Sequence, residues 1–392
     1  MLGKDPEGES EYMELIFWLS LIQITFTYFG YPVSLKLLSY IVNVEHYKQK
    51  KITPLVSFII TVYNEENRIG EKLKNTINLD YPKEKLQIIV SSDGSTDRTH
   101  EIVEEFKNTG VHLLINNERK GKEYAQAQAI KIANGEILVF SDAATRLDKN
   151  GLKQIISNFS DNTIGCVSSE DKIIPKNHVE KGGESFYVRY EMWLRKLESG
   201  VKSVVGLSGS FFAARKEVCE DFSSVMQSDF RTLLNTVKRG MRGVSDPEAM
   251  GYYVDIEDDS KEFERKIRTV LRGLTVFLTH LEFINIFRYG LFSYQYLCHK
   301  MMRWLVPLFL IFAFSVNAFL SIGSIVYRII FLLQITFYSI GLSGILKPEL
   351  NRLLPIRIPS FFIIVNSSIL IAWIKYIKGE RVMVWQPSLR SF

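Results

Sequence analysis

Cysteine is scarce. The 392 residues hold three, Cys166, Cys219 and Cys298, far apart and odd in number. That excludes a disulfide scaffold and fits a reducing compartment, and no spacing resembles a zinc site. Net charge is also small. Forty-eight Lys and Arg against 43 Asp and Glu leave +5, while 46% of the residues are hydrophobic. Disorder is excluded on those figures, and no nucleic acid is expected as a partner. The most informative absence is local. Residues 15–35, 304–327, 329–346 and 358–374 contain no Asp, Glu, Lys or Arg. All the charge is therefore concentrated in the remaining chain, which reads as a charged body joined to a membrane anchor.

A bilayer core needs about 20 apolar residues in a helix. Three of the stretches meet or approach that length. The fourth continues to residue 377 past one lysine, whose ammonium can snorkel. So few ionisable groups inside the stretches argue against a transporter. The N-terminal flank carries Asp5, Glu7, Glu9, Glu11 and Glu14, which is the wrong sign for a signal peptide. A retained anchor is expected there. Lys4 precedes the first stretch, whereas Lys36, Lys48, Lys50 and Lys51 follow it. The N-terminus is then outside and the middle segment cytoplasmic, in a multi-pass protein of the cell membrane. Lys300, Arg303, Lys347, Arg352 and Arg357 agree with this. Lys378, Arg381 and Arg390 conflict with a C-terminus outside, so its side stays open.

The expected division is an anchor at 1–45, a cytoplasmic body at 46–260, interfacial helices at 261–303 and about three spans in 304–392. Phe263, Ile267, Leu271, Leu274, Leu278 and Leu281 recur at helical spacing, interleaved with Arg265, Lys266, Arg268 and Arg272. A basic amphipathic helix of this kind lies at a membrane surface, or else faces the core of the body. Residues 286–297 are aromatic-rich and are expected at the interface as well.

In the body, short apolar β-rich runs at 56–62, 86–90, 111–115 and 137–140 alternate with helical segments near 67–78, 96–107 and 122–133. This predicts an α/β fold, a mostly parallel sheet with helices on both faces. Ligands of such sheets bind at the carboxyl ends of strands. Three of those ends carry acids: Tyr63-Asn64-Glu65-Glu66, Ser92-Asp93-Gly94-Ser95 and Ser141-Asp142-Ala143-Ala144. Helix capping could explain any one of them. All three together point to a ligand crevice.

These motifs, taken in order, resemble family 2 glycosyltransferases. Val56 to Glu66 is similar to their opening strand, and Val90 to Asp97 to their nucleotide-binding strand end. Lys120-Gly121-Lys122 resembles their lysine-bearing turn, and Phe140 to Ala143 their metal-binding strand end. Gly206 to Ala213 resembles their acceptor-side loop, Asp229 stands at the place of their catalytic acid, and Arg265 to Arg268 resembles their closing basic motif. The flanking spans extend the resemblance to the membrane branch that includes cellulose, hyaluronan and poly-N-acetylglucosamine synthases. It implies a GT-A-like body plus about four transmembrane helices.

The resemblance also implies roles. Tyr63, Asn64, Glu66, Asp93 and Lys122 would bind a nucleotide diphosphate sugar, with Arg265 and Arg268 on its diphosphate. Asp142 would hold Mg²⁺ or Mn²⁺. Ser208, Gly209 and Ser210 would face the acceptor, a polysaccharide or a lipid-linked sugar. Asp229 would take the acceptor proton, giving inversion at the anomeric carbon; its competing role is a helix cap. The pattern is incomplete at two places. Ala144 stands where the metal motif usually has a second acid, and Thr269 where the processive motif has Trp. Trp193 substitutes for that aromatic only if it faces the site; otherwise it is a buried packing residue. Other readings are single-sugar transfer to polyprenyl phosphate and an inactive subunit of a synthase complex. Membrane lipids are expected partners, with a homo-oligomer or accessory subunit to enclose any channel.

Overall fold

A computed structural model describes residues 6–42, 44, 46–49, 51–174, 182–220, 226–254 and 259–381. Helix α1 (Pro6–Thr25) continues through a π-helical turn, Phe26–Gly30, into α2 (Tyr31–Val42). Pro32 has no N–H to offer the preceding turn, and the ladder changes register just before it. The body comes next as β1 (Val56–Val62), α3 (Ile69–Ile77), β2 (Leu86–Asp93), α4 (Thr99–Glu104), β3 (Val111–Asn116), α5 (Lys122–Ile132) and β4 (Ile137–Asp142). It continues with β5 (Arg146–Leu147), α6 (Gly151–Ser157), β6 (Ile164–Ile174), α7 (Gly182–Val201), β7 (Phe211–Arg215), α8 (Ser228–Lys238) and β8 (Arg242–Val254).

The eight strands form one sheet in the order β3-β2-β1-β4-β7-β6-β8-β5. The first four are mutually parallel, as the alternation of runs and helices predicts. β1 lies between β2 and β4 and is buried at every position, so its sequence is apolar except for the small polar residues Ser57 and Thr61. Beyond β4 the sheet is mixed. β7 is antiparallel to β4 and β6, and β8 is parallel to β6. The register aligns three strand ends. Thr61 is level with Ser91 and with Asp142, so the carboxyl ends of β1, β2 and β4 open on one side.

Alternate residues feed two cores, one per face. Phe58, Ile60, Val90 and Val139 point to one, and Ile59, Ile89, Leu138 and Phe140 to the other. The second core does not stop at the body. It runs through α8 and α9 (Asp259–Thr279) to the apolar helices. α9 buries Leu271, Leu274, Val276 and Phe277 together with Trp304, Ile369 and Ala372, so the basic amphipathic segment is a packed bridge between body and anchor. The short helices α10 (Ile286–Tyr289) and α11 (Leu291–Tyr296) come after it. Phe287 there is fully exposed, while Phe292 and Tyr296 are fully buried. A second π-helical turn, Leu297–Met302, leads into α12 (Arg303–Gly323), α13 (Ile325–Leu346) and α14 (Leu354–Ile377).

Four helical stretches are long and apolar enough to cross a membrane: Ser10–Val42, Leu291–Gly323, Ile325–Leu346 and Leu354–Ile377. Their exposed faces are apolar, with Ile22, Phe319, Ile322, Leu333 and Ile377 among the most open side chains. Large apolar surfaces of this kind mark contact with lipid or protein rather than water.

Candidate active site

The strand ends build two neighbouring structures. The first is a rim of interlocked loops. Both carboxylate oxygens of Asp93 accept backbone N–H groups, from Lys120 and Gly121, each at 2.8 Å. Asn64 adopts a left-handed conformation (φ 52°), its N–H donates to Ser95 Oγ, and its Oδ1 accepts the Thr96 N–H at 2.8 Å. Glu66 accepts the Arg98 N–H at 3.1 Å. Gly94 (φ 71°) lets the chain turn close to Arg119: a Cβ there would sit 3.0 Å from the Arg119 nitrogen. The Arg119 guanidinium stacks on the Tyr63 ring, 3.7 Å from its centroid.

The second structure is a cavity of about 470 Å³ between the body, α7, α9, α12 and α14. Asp142 enters it from the end of β4. Lys122, in the first turn of α5, donates to Asp142 Oδ1 and, at 3.1 Å, to the Gly209 carbonyl. No described residue bonds Asp142 Oδ2. Behind Asp142 lies Lys72, which donates to Ser141 Oγ at 2.7 Å and to the Thr145 carbonyl at 2.6 Å. Burial pulls its ammonium down to about 7, against the pull of Asp142. Glu65 is pushed up to about 7 by burial, opposed by its ion pair with Arg68.

The loop from Gly206 to Ser210 crosses the cavity. Ser208 and Ser210 donate their hydroxyls to Asp171, at 2.6 and 2.8 Å from Oδ1. Gly209 lets the loop close over Asp229, since a Cβ there would lie 3.2 Å from Asp229 Oδ2. Asp229 is 8% exposed and sits inside the first turn of α8, whose cap position is Gln227. Burial raises its pKa, while Lys122 and Arg272 oppose the rise. A carboxylate raised in this way is a better proton acceptor than a solvated one.

α9 supplies the cations. Arg265 is held by a two-point pair to Glu262 on its own helix, and Arg272 pairs with Glu123. Arg268 has no described carboxylate partner, and burial with its neighbours Arg272 and Arg265 depresses its pKa. Crowded positive charge of this kind favours an anionic ligand. Ala144 lines the same cavity, and among the described residues no group of three or more His, Cys, Asp or Glu assembles. The donor set suits a hard divalent ion held by one carboxylate, with phosphate oxygens and waters filling its shell.

Residues 57–222 match the model of glycosyl transferase family 2. The chain carries a family 2 glycosyltransferase domain. It is 24% identical, over 60% of its length and 78% of the other's, to the dolichyl N-acetyl-alpha-D-glucosaminyl phosphate 3-beta-D-2,3-diacetamido-2,3-dideoxy-beta-D-glucuronosyltransferase of Methanococcus voltae. It is 26% identical to poly-beta-1,6-N-acetyl-D-glucosamine synthase of Staphylococcus aureus over 57% of this chain, and spans 55% of that synthase. A mannosyltransferase from Pyrobaculum calidifontis, solved with GDP-Man and Mn²⁺, shares the fold. Its TM-score is 0.72 at 21% identity, covering 94% of this chain and 100% of that one.

Within this glycosyltransferase domain and its helices, the cavity gathers Lys122, Asp142, Ser208, Gly209, Ser210, Asp229, Arg265 and Arg268. Tyr63, Asn64, Glu66 and Asp93 lie on the rim, outside the cavity lining. Trp193 is 48% exposed and does not line the cavity, so neither of its two expected roles is the one observed. Aromatics that do line it are Tyr187, Phe230, Tyr253 and Trp304, the last of them close to Gly273 of α9. Sequence reasoning also missed Asp171, Arg195 and Lys300. Asp171 falls on β6, a strand the alternation of runs did not reveal, and Lys300 counted only as a topology signal.

Proposed function

We propose that the chain is an inverting membrane glycosyltransferase. It moves a sugar from a nucleotide diphosphate sugar to a polysaccharide or lipid-linked acceptor at the cytoplasmic face of the cell membrane. The observation that carries this is the grouping of Asp229, Asp142 with Lys122, and Arg268 in one cavity against the apolar helices. The rim around Tyr63, Asn64, Glu66 and Asp93 holds the nucleoside beside that cavity. Lys122 and Arg268 bind the diphosphate. Arg265 joins them once the ligand draws it from Glu262. Asp142 would hold Mg²⁺ or Mn²⁺, and such an ion would supply positive charge beside the diphosphate.

Asp229 accepts the proton of the acceptor hydroxyl as that oxygen attacks the anomeric carbon. Burial keeps water from competing and raises the carboxylate's basicity. Ser208 and Ser210, tied to Asp171, fix the loop on the acceptor side. Support comes from the relatives, one named for a polysaccharide synthase and one for transfer to a dolichyl-linked sugar phosphate. The test is a screen of nucleotide sugars with the full chain in lipid, followed by mass analysis of the product. A sugar added to a lipid or a growing glycan is expected. No turnover and no nucleotide binding with either metal would sink the reading and favour an inactive subunit.

A further inference from the structure

The cavity has a membrane end that the donor does not need. Lys300 lies on the π-helical turn Leu297–Met302, and its side chain reaches the start of the Gly206–Ser210 loop. A Cβ at Gly206 would lie 3.2 Å from its Nζ, and the Phe230 ring centroid is 5.1 Å from it. Phe230 follows Asp229 directly, so this ammonium borders the acceptor side of the site. The far end of the same loop meets Asp142, whose N–H donates to the Ser210 carbonyl at 3.0 Å. The loop therefore separates Lys300 from the strand end assigned to the diphosphate.

No described residue gives the Lys300 ammonium a hydrogen bond or an ion pair. The two glutamates of α7 that act on it through space are already engaged. Glu198 accepts the Tyr31 hydroxyl at 2.7 Å and His299 Nδ1 at 2.5 Å. Glu191 pairs with Arg303 and faces His299. Arg195 is a second cation without a described carboxylate; it donates to Ser168 Oγ at 3.1 Å, and Ser168 Oγ also accepts the Ser208 N–H. Withdrawing a cation from water with no counter-ion is costly, and a ligand anion removes that cost. The neighbouring wall is apolar: Trp304 from α12 with Val365 and Ile369 from α14 line the same cavity, and both helices are long enough to span a bilayer. A free phosphate has no use for that wall, whereas a lipid tail does.

We propose that Lys300, supported by Arg195, binds the phosphate of a lipid acceptor whose hydrocarbon chain runs along Trp304, Val365 and Ile369. This rests on the glycosyl-transfer reading and narrows its acceptor to an anionic lipid.

The test uses the full chain in neutral-lipid nanodiscs, with native mass spectrometry of bound lipid. The probes are a polyprenyl phosphate, the matching neutral polyprenol, phosphatidylglycerol and inorganic phosphate. Polyprenyl phosphate is expected to bind in preference to the others. Lys300→Gln is expected to weaken it about 10- to 100-fold, as loss of a charged hydrogen-bond donor does, and Lys300→Arg to retain most of it. Gly206→Val, which crowds the ammonium without removing it, is expected to weaken binding too. Nucleotide titration of each variant checks that it is folded. Undiminished polyprenyl phosphate binding by both Lys300→Gln and Gly206→Val overturns the proposal. So does equal competition by inorganic phosphate, which would make this a free-anion site, or equal binding of phosphatidylglycerol, which would make it a general headgroup contact. Absence of nucleotide binding in the wild-type chain would instead sink the glycosyl-transfer reading and leave the lipid-phosphate site standing.

Discussion

The rim and the cavity use the same residue types in opposite ways. At the rim, Asp93, Asn64 and Glu66 spend their oxygens on backbone N–H groups of the opposing loops. In the cavity, Asp142 keeps one oxygen free of described partners, Arg268 and Lys300 have no carboxylate partner among the described residues, and Asp229 is held at a raised pKa by burial. A satisfied polar group stabilises the fold and shapes a surface. An unsatisfied one in a dry site is maintained against its solvation cost, and its partner is expected from outside. On the proposed reading the rim is scaffold for a ligand, and the cavity is where ligand charge completes the structure.

The largest effect that would break this contrast is at Asp229. Asp229→Asn is expected to lower turnover about 10²- to 10⁴-fold with little change in melting temperature, the range for loss of a general base. The wild-type pH profile gives an independent reading. The base works deprotonated, so kcat/KM falls as pH drops through its pKa. Because burial raises that pKa, the acid limb lies above the ordinary carboxylate range. A limb at the ordinary position, or full activity in the Asn variant, removes Asp229 from the chemistry.

Next come the arginines. Arg268→Gln is expected to raise the donor KM about 10- to 100-fold. Arg265→Gln has a smaller effect, since Arg265 must leave Glu262 before it can bind anything. Equal effects would show that the Glu262 pair does not compete. At the rim the balance reverses. Asp93→Asn leaves the Lys120 and Gly121 N–H groups poorly matched and is expected to cost about 1–3 kcal/mol of stability, visible as a lower melting temperature. Arg268→Gln should leave that temperature unchanged.

Legibility in the sequence divides along the same line. The runs that became β1, β2 and β4 are largely buried on both faces, and β3 is a half-exposed edge strand that still keeps Val111, Leu113 and Ile115, so the four runs and their polar ends were plain in the chain. Asp142, Asp229 and Arg268 could be located because each stands beside a motif with its own spacing. Asp171 and Lys300 could not. β6, β7 and β8 carry mixed pairing, with register shifts between β6 and β8, and β6 breaks its apolar run at Ser168-Ser169-Glu170-Asp171, so nothing marked Asp171 as a strand residue facing Ser208. Lys300 stands 94 residues beyond Gly206, and its turn is held beneath the loop by side-chain pairs to α7, His299 with Glu198 and Arg303 with Glu191, which no local pattern reveals. The rim roles were legible as positions but not as contacts. The acids at the ends of β1 and β2 were read as ligand groups, and their backbone partners depend on loops whose course no periodicity reveals.

The smallest effect concerns the groups behind Asp142. Glu65 in the folded chain holds its proton up to about 7, above the usual 4.5, so the unfolded chain loses that proton first. Its contribution is fully present below pH 4.5 and is lost as pH rises toward 7. Lys72 is the mirror case. Its folded value of about 7 lies below the usual 10.5, so stability grows as pH rises from 7 to 10.5 and is lost again on the way down. The two slopes meet in a stability minimum near pH 7, read as the melting temperature of the chelated protein against pH. Glu65→Gln should flatten the acid slope alone and Lys72→Met the alkaline slope alone. A wild-type curve that is flat through pH 7, or a variant that shifts both slopes together, would show that water reaches these groups and that the ground behind Asp142 is as well solvated as the rim.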